Sequence, residues 1–169
     1  MQVFVPYSDA LRVAKEMACD KRRYNKQIVE CNQIIKAIKG ETEAWKNHPI
    51  CHQYKKYLEW LEWYRDLFVY YKEGGYNDKD TNLNFILLNS PRLPSFLFCQ
   101  DYLNSHKRRL YQKSPELYPQ FAKYNDEKDK SNWYCVPINF PIPKRKGVSI
   151  LGKGLIDYNN LNYIFIKYE

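Results

Sequence analysis

Residues 50–71, ICHQYKKYLEWLEWYRDLFVYY, decide the fold that we expect for this chain. Large apolar and aromatic side chains recur there at steps of four and three residues, at positions 50, 54, 57, 61, 64, 68 and 71. This spacing places them on one face of an α-helix, and such a face needs partners to cover it. Pro49 suits the first helical position with His48 as the N-cap, and Gly74 and Gly75 would end the helix. We therefore predict one long helix in a helical core.

Two further helices are predicted before this one. The first runs from about Asp9 to Cys19, with Ser8 as its cap. The second follows from apolar residues at positions 24, 28, 31, 35 and 38, which again recur at helical steps. Gly40 stands where this second helix would end.

The pattern changes after the core helix. We predict a loop over residues 76–94, a helix from Phe96 to Gln112, and a short helix that Ser114 caps and Pro115 starts. Near the C-terminus, VSIL (148–151) and NYIFIKY (162–168) are β-prone runs that predict a hairpin or arm.

The predicted fold class is therefore mainly α, a single-domain helical bundle with a small β-prone C-terminal arm. Its parts are a helical domain over residues 1–124, a charged linker over 125–132, and an arm over 133–169 that packs on the domain. The linker boundary rests on the polar sequence NDEKDKSN.

Charge favours a polyanionic partner. The chain has 169 residues with 27 Lys and Arg against 19 Asp and Glu, a formal net charge of +8. Such a balance favours nucleic acid first and an anionic membrane second, although a solvated Lys-rich surface would need no partner at all. We expect duplex DNA as the partner, no membrane association, and a monomer.

Cysteine and hydropathy patterns indicate the compartment. The five cysteines are widely spaced and form no CxxC pair, which argues against a disulfide framework and a zinc site and favours a reducing interior. No apolar run reaches about 18 residues, and no signal peptide is recognisable. We expect a cytoplasmic, nucleoid-associated protein, or one in the equivalent intracellular compartment of a host. No metal and no cofactor is expected.

Three clusters of polar residues are candidates for function. Lys26, Glu30 and Gln33 share one helix face, where a plain solvated ion pair worth about 0.3–0.5 kcal/mol is the alternative. The sequence WKNHP (45–49) contains Asn47 and His48, which a helix cap also explains. The sequence SHKRRL (105–110) ends a predicted helix, where basic residues either complement the helix dipole or contact phosphate. Lys144–Lys146 form a second possible phosphate contact.

Several short motifs occur in order and resemble a known family. They are MQVFVPY (1–7), RYNKQIVE (23–30), WKNHP (45–49), SHK (105–107) and KSPELY (113–118). Together they are similar to small bacterial and viral proteins described as pyrimidine-dimer DNA glycosylases of the endonuclease V type. The sequence YKEGGYNDKDTN (71–82) also resembles a segment of the phage endonuclease V enzymes.

The resemblance implies a chemistry and its residues. In the phage enzymes an early glutamate lies beside the α-amine, and that glutamate corresponds here to Glu30. Because Gln2 is large, Met1 is expected to be retained, so its amine is the implied nucleophile. An α-amine has a reference pKa near 7.7–8.0, so about a tenth of such groups are neutral at pH 7. Val29 and Gln33 stand where the phage enzymes carry arginine, which bears on the recognition of dimers.

The predicted site follows from these motifs and this resemblance. The catalytic residues are Met1 and Glu30. The pocket and DNA contacts are predicted as two groups: Gln2, Lys26, Gln27, Asn47 and His48 around the pocket, and Arg22, Arg23, His106, Lys107, Arg108 and Arg109 on phosphates.

The predicted function is a repair-type DNA glycosylase with abasic-site lyase activity on damaged or modified pyrimidines in duplex DNA, acting through a Schiff base. One alternative is a non-catalytic DNA-binding protein of a phage or mobile element that uses the same basic face. Another is a protein-interaction module in which the helix from Ile50 to Tyr71 forms the partner surface.

Overall fold

The computed structural model describes residues 1–73, 81–143, 147–152 and 163–168. Within these ranges it is mainly α with a small β-sheet, which confirms the predicted fold class. The helices are α1 (Ala10–Met17), α2 (Lys21–Lys39), α3 (Pro49–Tyr54), α4 (Leu58–Glu73), α5 (Thr81–Leu88) and α6 (Gln100–Lys113). The strands are β1 (Asn132–Pro137), β2 (Val148–Gly152) and β3 (Tyr163–Tyr168).

The first two helices begin at aspartate caps. The side chain of Asp9 accepts a hydrogen bond from the backbone N–H of Arg12 at 3.1 Å, so the predicted cap Ser8 is wrong by one residue. Asp20 caps α2 in the same way through the N–H of Arg23 at 3.0 Å. An aspartate at this position also places a negative charge at the positive end of the helix dipole.

The predicted long core helix is interrupted. Lys55–Tyr57 form a 3₁₀ turn that separates α3 from α4. The start of α3 is confirmed, because Pro49 follows the N-cap His48, whose Nδ1 accepts from the N–H of Ile50 at 3.2 Å. Because of this interruption, α3 packs against other elements than α4 does. Its fully buried Gln53 donates to the hydroxyl of Tyr102 and accepts from the N–H of Cys135, both at 2.8 Å.

The predicted loop over residues 76–94 is wrong for Thr81–Leu88, which form α5. This helix packs on α4 through the buried Leu83, and Trp63 donates to the carbonyl of Ile86 at 2.8 Å. Gly74, Gly75 and residues 76–80 lie outside the described residues.

Two later boundaries differ from the prediction. Ser95–Phe98 form a separate 3₁₀ turn, so α6 begins at Gln100 rather than at Phe96. The short helix expected at Pro115 is only a single turn, in which the carbonyl of Ser114 accepts from the N–H groups of Leu117 and Tyr118, and a 3₁₀ segment over Pro119–Tyr124 follows.

The C-terminal strands form a three-stranded antiparallel sheet in the order β1-β3-β2. The two predicted β-prone runs are β2 and β3, but they are not an isolated hairpin, since β1 pairs along the other edge of β3. β1 also packs on α3 and α6, so the sheet lies against the helices.

Aromatic side chains fill the centre of the helical core. Trp60 on α4 lies nearly parallel to Tyr64 at 4.8 Å, and Tyr24 on α2 packs on Phe68 at 4.7 Å. All four are buried, which joins α2 to α4 along the predicted apolar faces. No helix among the described residues is long and apolar enough to cross a membrane.

The C-terminal end of α2 gives a stability prediction. Gly40 has a φ of 76°, a left-handed conformation, and no atom lies within 4 Å of a Cβ built there. Gly40→Ala therefore adds backbone strain without a clash and should lower the free energy of unfolding by about 1 kcal/mol. Chemical denaturation measures this loss.

The matched control for Gly40→Ala is Gly40→Asn. Asparagine tolerates the left-handed region better than alanine, so its loss of stability should be smaller. Equal stability of Gly40→Ala and the wild type would contradict the assigned helix end.

Candidate active site

The N-terminal segment crosses the helical domain as a buried extended chain. Residues Gln2–Pro6 are buried although they pair with no strand among those described. Buried backbone groups need hydrogen-bond partners, and here helix side chains supply them. The N–H of Phe4 donates to Gln27 Oε1 at 3.0 Å, and its carbonyl accepts from Gln27 Nε2 at 2.7 Å and from the Tyr64 hydroxyl at 2.8 Å. Gln27 thus acts as a structural partner of the chain start.

Glu30 is the partner of Gln2, the first residue of this buried segment. Its Oε2 accepts from the N–H of Gln2 at 3.0 Å, and its Oε1 lies 3.7 Å from Lys26 Nζ. Glu30 is only 9% exposed, so both contacts compensate for the burial of its charge. The helical step from Lys26 to Glu30 places both side chains on one face of α2, as the sequence predicts.

The α-amine of Met1 lies close to this carboxylate. Adjacent backbone nitrogens are within about 4 Å of each other, so the amine is within about 7 Å of the Glu30 oxygen that binds Gln2. Both residues line one small pocket of about 90 Å³. The pocket is lined by Met1, Gln2, Phe4, Arg23, Lys26, Glu30, Lys113 and Asn132.

Positive charge surrounds the carboxylate. Arg23, Lys26 and Lys113 line the pocket together with Glu30, and of these cations Lys26 pairs with Glu30 and Arg23 with Asp20, the latter at 3.2 Å. Burial and the neighbouring cations, Arg109 first, lower the pKa of Lys113, while Glu30 acts in the opposite direction. This excess of positive charge suits a phosphate-bearing ligand.

The Gln2 side chain is buried beside Glu30 without partners. It is 6% exposed, and neither its Oε1 nor its Nε2 has a hydrogen-bond partner among the residues that the structure describes. Leaving a buried donor or acceptor unpaired costs about 1–3 kcal/mol. A ligand that pairs with this amide would recover that cost.

The WKNHP segment, which includes the predicted pocket residues Asn47 and His48, contributes no residue to the lining of this pocket. Asn47 is exposed, and His48 is half-buried at the start of α3. The His48 ring packs edge-on against Tyr134 at 5.4 Å and against Trp45 at 5.5 Å. Trp45 is 49% exposed and has a φ of 68°, a strained conformation for tryptophan.

Three of the predicted DNA contacts on α6, His106, Lys107 and Arg108, do not line the pocket. His106 is buried and accepts from the N–H of Val5 at 3.3 Å, and burial together with Arg108 lowers its pKa to about 3. Arg108 pairs with Asp129 at 2.9 Å, and Lys107 lies over the rings of Tyr7 and Tyr124. These three side chains therefore have partners within the protein.

Arg109 and Arg22 differ from these three. Arg109 donates to Asn132, which lines the pocket, at 3.2 Å. Arg22 is exposed at the start of α2, one residue before the pocket residue Arg23. Lys144–Lys146 lie outside the described residues.

Sequence reasoning missed four residues: Phe4, Lys113 and Asn132, which line the pocket, and Tyr134, which contacts Met1. Lys113 is the first residue of KSPELY, so the motif itself could have indicated it. Asn132 and Tyr134 lie on β1, and nothing in the local sequence indicates that this strand reaches Met1. The Tyr134 hydroxyl donates to the carbonyl oxygen of Met1 at 2.8 Å.

The family comparison adds an independent finding. Residues 1–82 match the pyrimidine dimer DNA glycosylase family. The resemblance inferred from the motifs is thereby confirmed, and the matched segment contains Met1, Gln2 and Glu30. The family's name describes repair enzymes whose substrate is DNA. Neither the curated proteins nor the solved structures gave a match.

Metal binding has no evident place in the described part of the chain. No group of three or more His, Cys, Asp or Glu side chains there is arranged to hold a metal ion.

The burial of His106 predicts a pH dependence of stability. Its pKa is about 3 in the folded chain against an ordinary value of 6.5, so below pH 6.5 the unfolded chain binds a proton that the folded chain does not. Stability should therefore fall as the pH decreases from about 6.5 towards 3, by up to about 1.4 kcal/mol per pH unit. Urea denaturation between pH 4 and 7 measures this slope.

His106→Asn tests the origin of that slope. The Asn oxygen can still accept from the N–H of Val5 but does not titrate, so the slope should be smaller even if overall stability is lower. Parallel stability curves for variant and wild type would show that His106 is not the titrating group.

Proposed function

We propose that this protein is a DNA glycosylase with associated abasic-site lyase activity, acting on damaged pyrimidines, pyrimidine dimers among them, in duplex DNA. The observation that carries the proposal is the buried carboxylate of Glu30, which binds the N–H of Gln2 and shares a pocket with the Met1 α-amine. The family match over residues 1–82 supports the same activity.

The Met1 amine is the proposed nucleophile. In its neutral form it attacks C1′ of the damaged nucleotide, and the N-glycosidic bond breaks as the base leaves with the electron pair and takes up a proton. The nitrogen then gives up a proton, and its lone pair forms the C1′=N bond of a Schiff base while the C1′–O4′ bond breaks and O4′ takes up a proton. An α-amine suits this step because a larger fraction of it is neutral at pH 7 than of a lysine side chain.

Glu30 is the proposed carboxylate partner of both steps. Its negative charge stabilises the cationic sugar during loss of the base. In the lyase step it accepts a proton from C2′, and the bond between C3′ and its phosphate oxygen breaks as the phosphate leaves. Water then hydrolyses the Schiff base and releases the free amine.

Cations around the pocket would hold the DNA. Arg23, Lys26 and Lys113 surround the site, so they are placed to contact the phosphates flanking the damaged nucleotide. Damaged pairs cost less energy to unstack than intact pairs, which favours access of the amine to a damaged nucleotide.

The unpaired amide of Gln2 would contact the bound nucleotide. Its Nε2 offers two N–H donors and its Oε1 an acceptor next to Glu30, and both atoms lack partners among the described residues. Asn47 and His48 do not line the pocket, and His48 is linked to it only through its ring contact with Tyr134, whose hydroxyl binds the Met1 carbonyl.

Borohydride trapping tests this function directly. The reductant converts a Schiff base into a stable amine, so the wild type should form a covalent adduct on Met1 with a duplex that carries a cyclobutane pyrimidine dimer. Glu30→Gln should reduce strand cleavage by about 10²- to 10⁴-fold, because it removes the charge and the proton acceptor, while DNA affinity changes only a few-fold.

The control variant is Glu62→Gln, which removes a carboxylate on α4 that pairs with Lys39 rather than lining the pocket. It should cleave like the wild type. An adduct with an abasic duplex alone would restrict the activity to a lyase. No adduct with any duplex, together with salt-dependent DNA binding, would support the non-catalytic alternative and contradict the proposal.

A further inference from the structure

The peptide group between Met1 and Gln2 is held at both of its polar ends. Its N–H donates to Glu30 at 3.0 Å, and its carbonyl oxygen accepts from the Tyr134 hydroxyl at 2.8 Å. A peptide group is planar, so these two contacts on its opposite edges, together with the buried backbone that continues at Gln2, restrict the orientation of the whole plane.

This double contact restricts the amine. Once the plane is held, the α-nitrogen of Met1 can move only by rotation about the Cα–C bond of Met1. With a bond length near 1.46 Å and a bond angle near 111°, this rotation moves the nitrogen on a circle of radius about 1.4 Å. Without the Tyr134 contact, the plane could also turn about its remaining bond to Glu30.

Tyr134 is itself held firmly. Its side chain is buried, and its ring meets the rings of His48 and Tyr168 edge-on, at 5.4 Å and 5.7 Å. These neighbours belong to the start of α3 and to β3, so two elements position the hydroxyl. Burial raises the pKa of Tyr134, which keeps the phenol protonated and able to donate.

The same strand makes a second contribution to the pocket. Residues two apart on a strand point to the same side, and Asn132 precedes Tyr134 by two positions on β1. Asn132 lines the pocket and accepts from Arg109 at 3.2 Å. Both residues lie outside the family-matched segment 1–82.

We infer that Tyr134 is a positioning residue for the nucleophile, holding the Met1 carbonyl so that the α-amine stays aimed into the pocket beside Glu30. The C-terminal sheet is thereby a part of the active site. This inference rests on the proposed function, in which the amine attacks C1′. A displacement of about 1 Å of a reacting group can cost about 10²-fold in rate.

Tyr134→Phe removes the hydroxyl and keeps the ring. The chain offers a matched control, because Tyr64 donates to the carbonyl of Phe4 in the same N-terminal segment, also at 2.8 Å and also from a buried ring. Tyr64→Phe removes a bond of equal length and kind, together with the bond that this hydroxyl accepts from Gln27 Nε2 at 3.0 Å, and neither bond touches the Met1–Gln2 peptide.

The measurement is single-turnover borohydride trapping on an abasic duplex, with protein in excess and titrated to saturation. Tyr134→Phe should lower the maximal rate of adduct formation by about 10- to 100-fold and leave the half-saturating concentration within about twofold. Its rate should fall by the same factor at every pH from 6 to 9. Tyr64→Phe should stay within about threefold of the wild type, with thermal melts confirming that both variants are folded.

Each other outcome overturns the inference. A Tyr134→Phe rate within twofold of the wild type would show that the bond does not aim the amine. Equal slowing by Tyr64→Phe would indicate a general structural role. A changed pH profile would make Tyr134 a proton donor, and a weaker half-saturation alone would make it a DNA contact. An inactive wild type would overturn the proposed function as well, whereas an active wild type with an unaffected variant overturns this inference alone.

Discussion

The bond from the Gln2 N–H to the Glu30 carboxylate is the interaction on which the site depends. It joins the first peptide group of the chain to the middle of α2 and does so in a buried place. The N-terminal segment has no described strand beside it, so its backbone must find side-chain partners. Gln27 supplies both a donor and an acceptor to Phe4, and His106 accepts from Val5. The α-amine of Met1 therefore lies at the end of a segment whose backbone is held by these side-chain hydrogen bonds.

Glu30 serves structure and the proposed chemistry with the same atoms. A buried carboxylate is costly unless it is paired, and here one oxygen binds an N–H while the other faces Lys26. The proposed reaction needs that same negative charge next to a cationic sugar. The cations Arg23 and Lys113 complete the surroundings and favour a phosphate-bearing ligand over a neutral one.

Segments that are far apart in the sequence meet at this site. The N-terminal half provides Met1, Gln2 and Glu30, and β1 provides Asn132 and the hydroxyl that binds the Met1 carbonyl. The sheet is coupled to the helices by Gln53, whose amide binds both Tyr102 on α6 and Cys135 on β1. The 3₁₀ turn at Lys55–Tyr57 separates α3, which carries Gln53, from α4. In one straight helix, α3 would instead continue along the direction of α4.

The sequence by itself determined the helical class, the apolar faces of α2 and α4 and the end of α2 at Gly40, and family motifs led to the prediction that Met1 and Glu30 share one site. Hydrophobic periodicity and helix caps depend on residues within a few helical turns of each other, so the local sequence is enough to predict these features. The tertiary structure alone decided the turn within the predicted long helix, the third strand, and the burial of His106. It also decided the contact of Tyr134 with Met1. The contacts of His106 and Tyr134 join residues about a hundred or more positions apart in the sequence. An apolar helix face predicts that the face is buried, but it does not identify the element that packs against it.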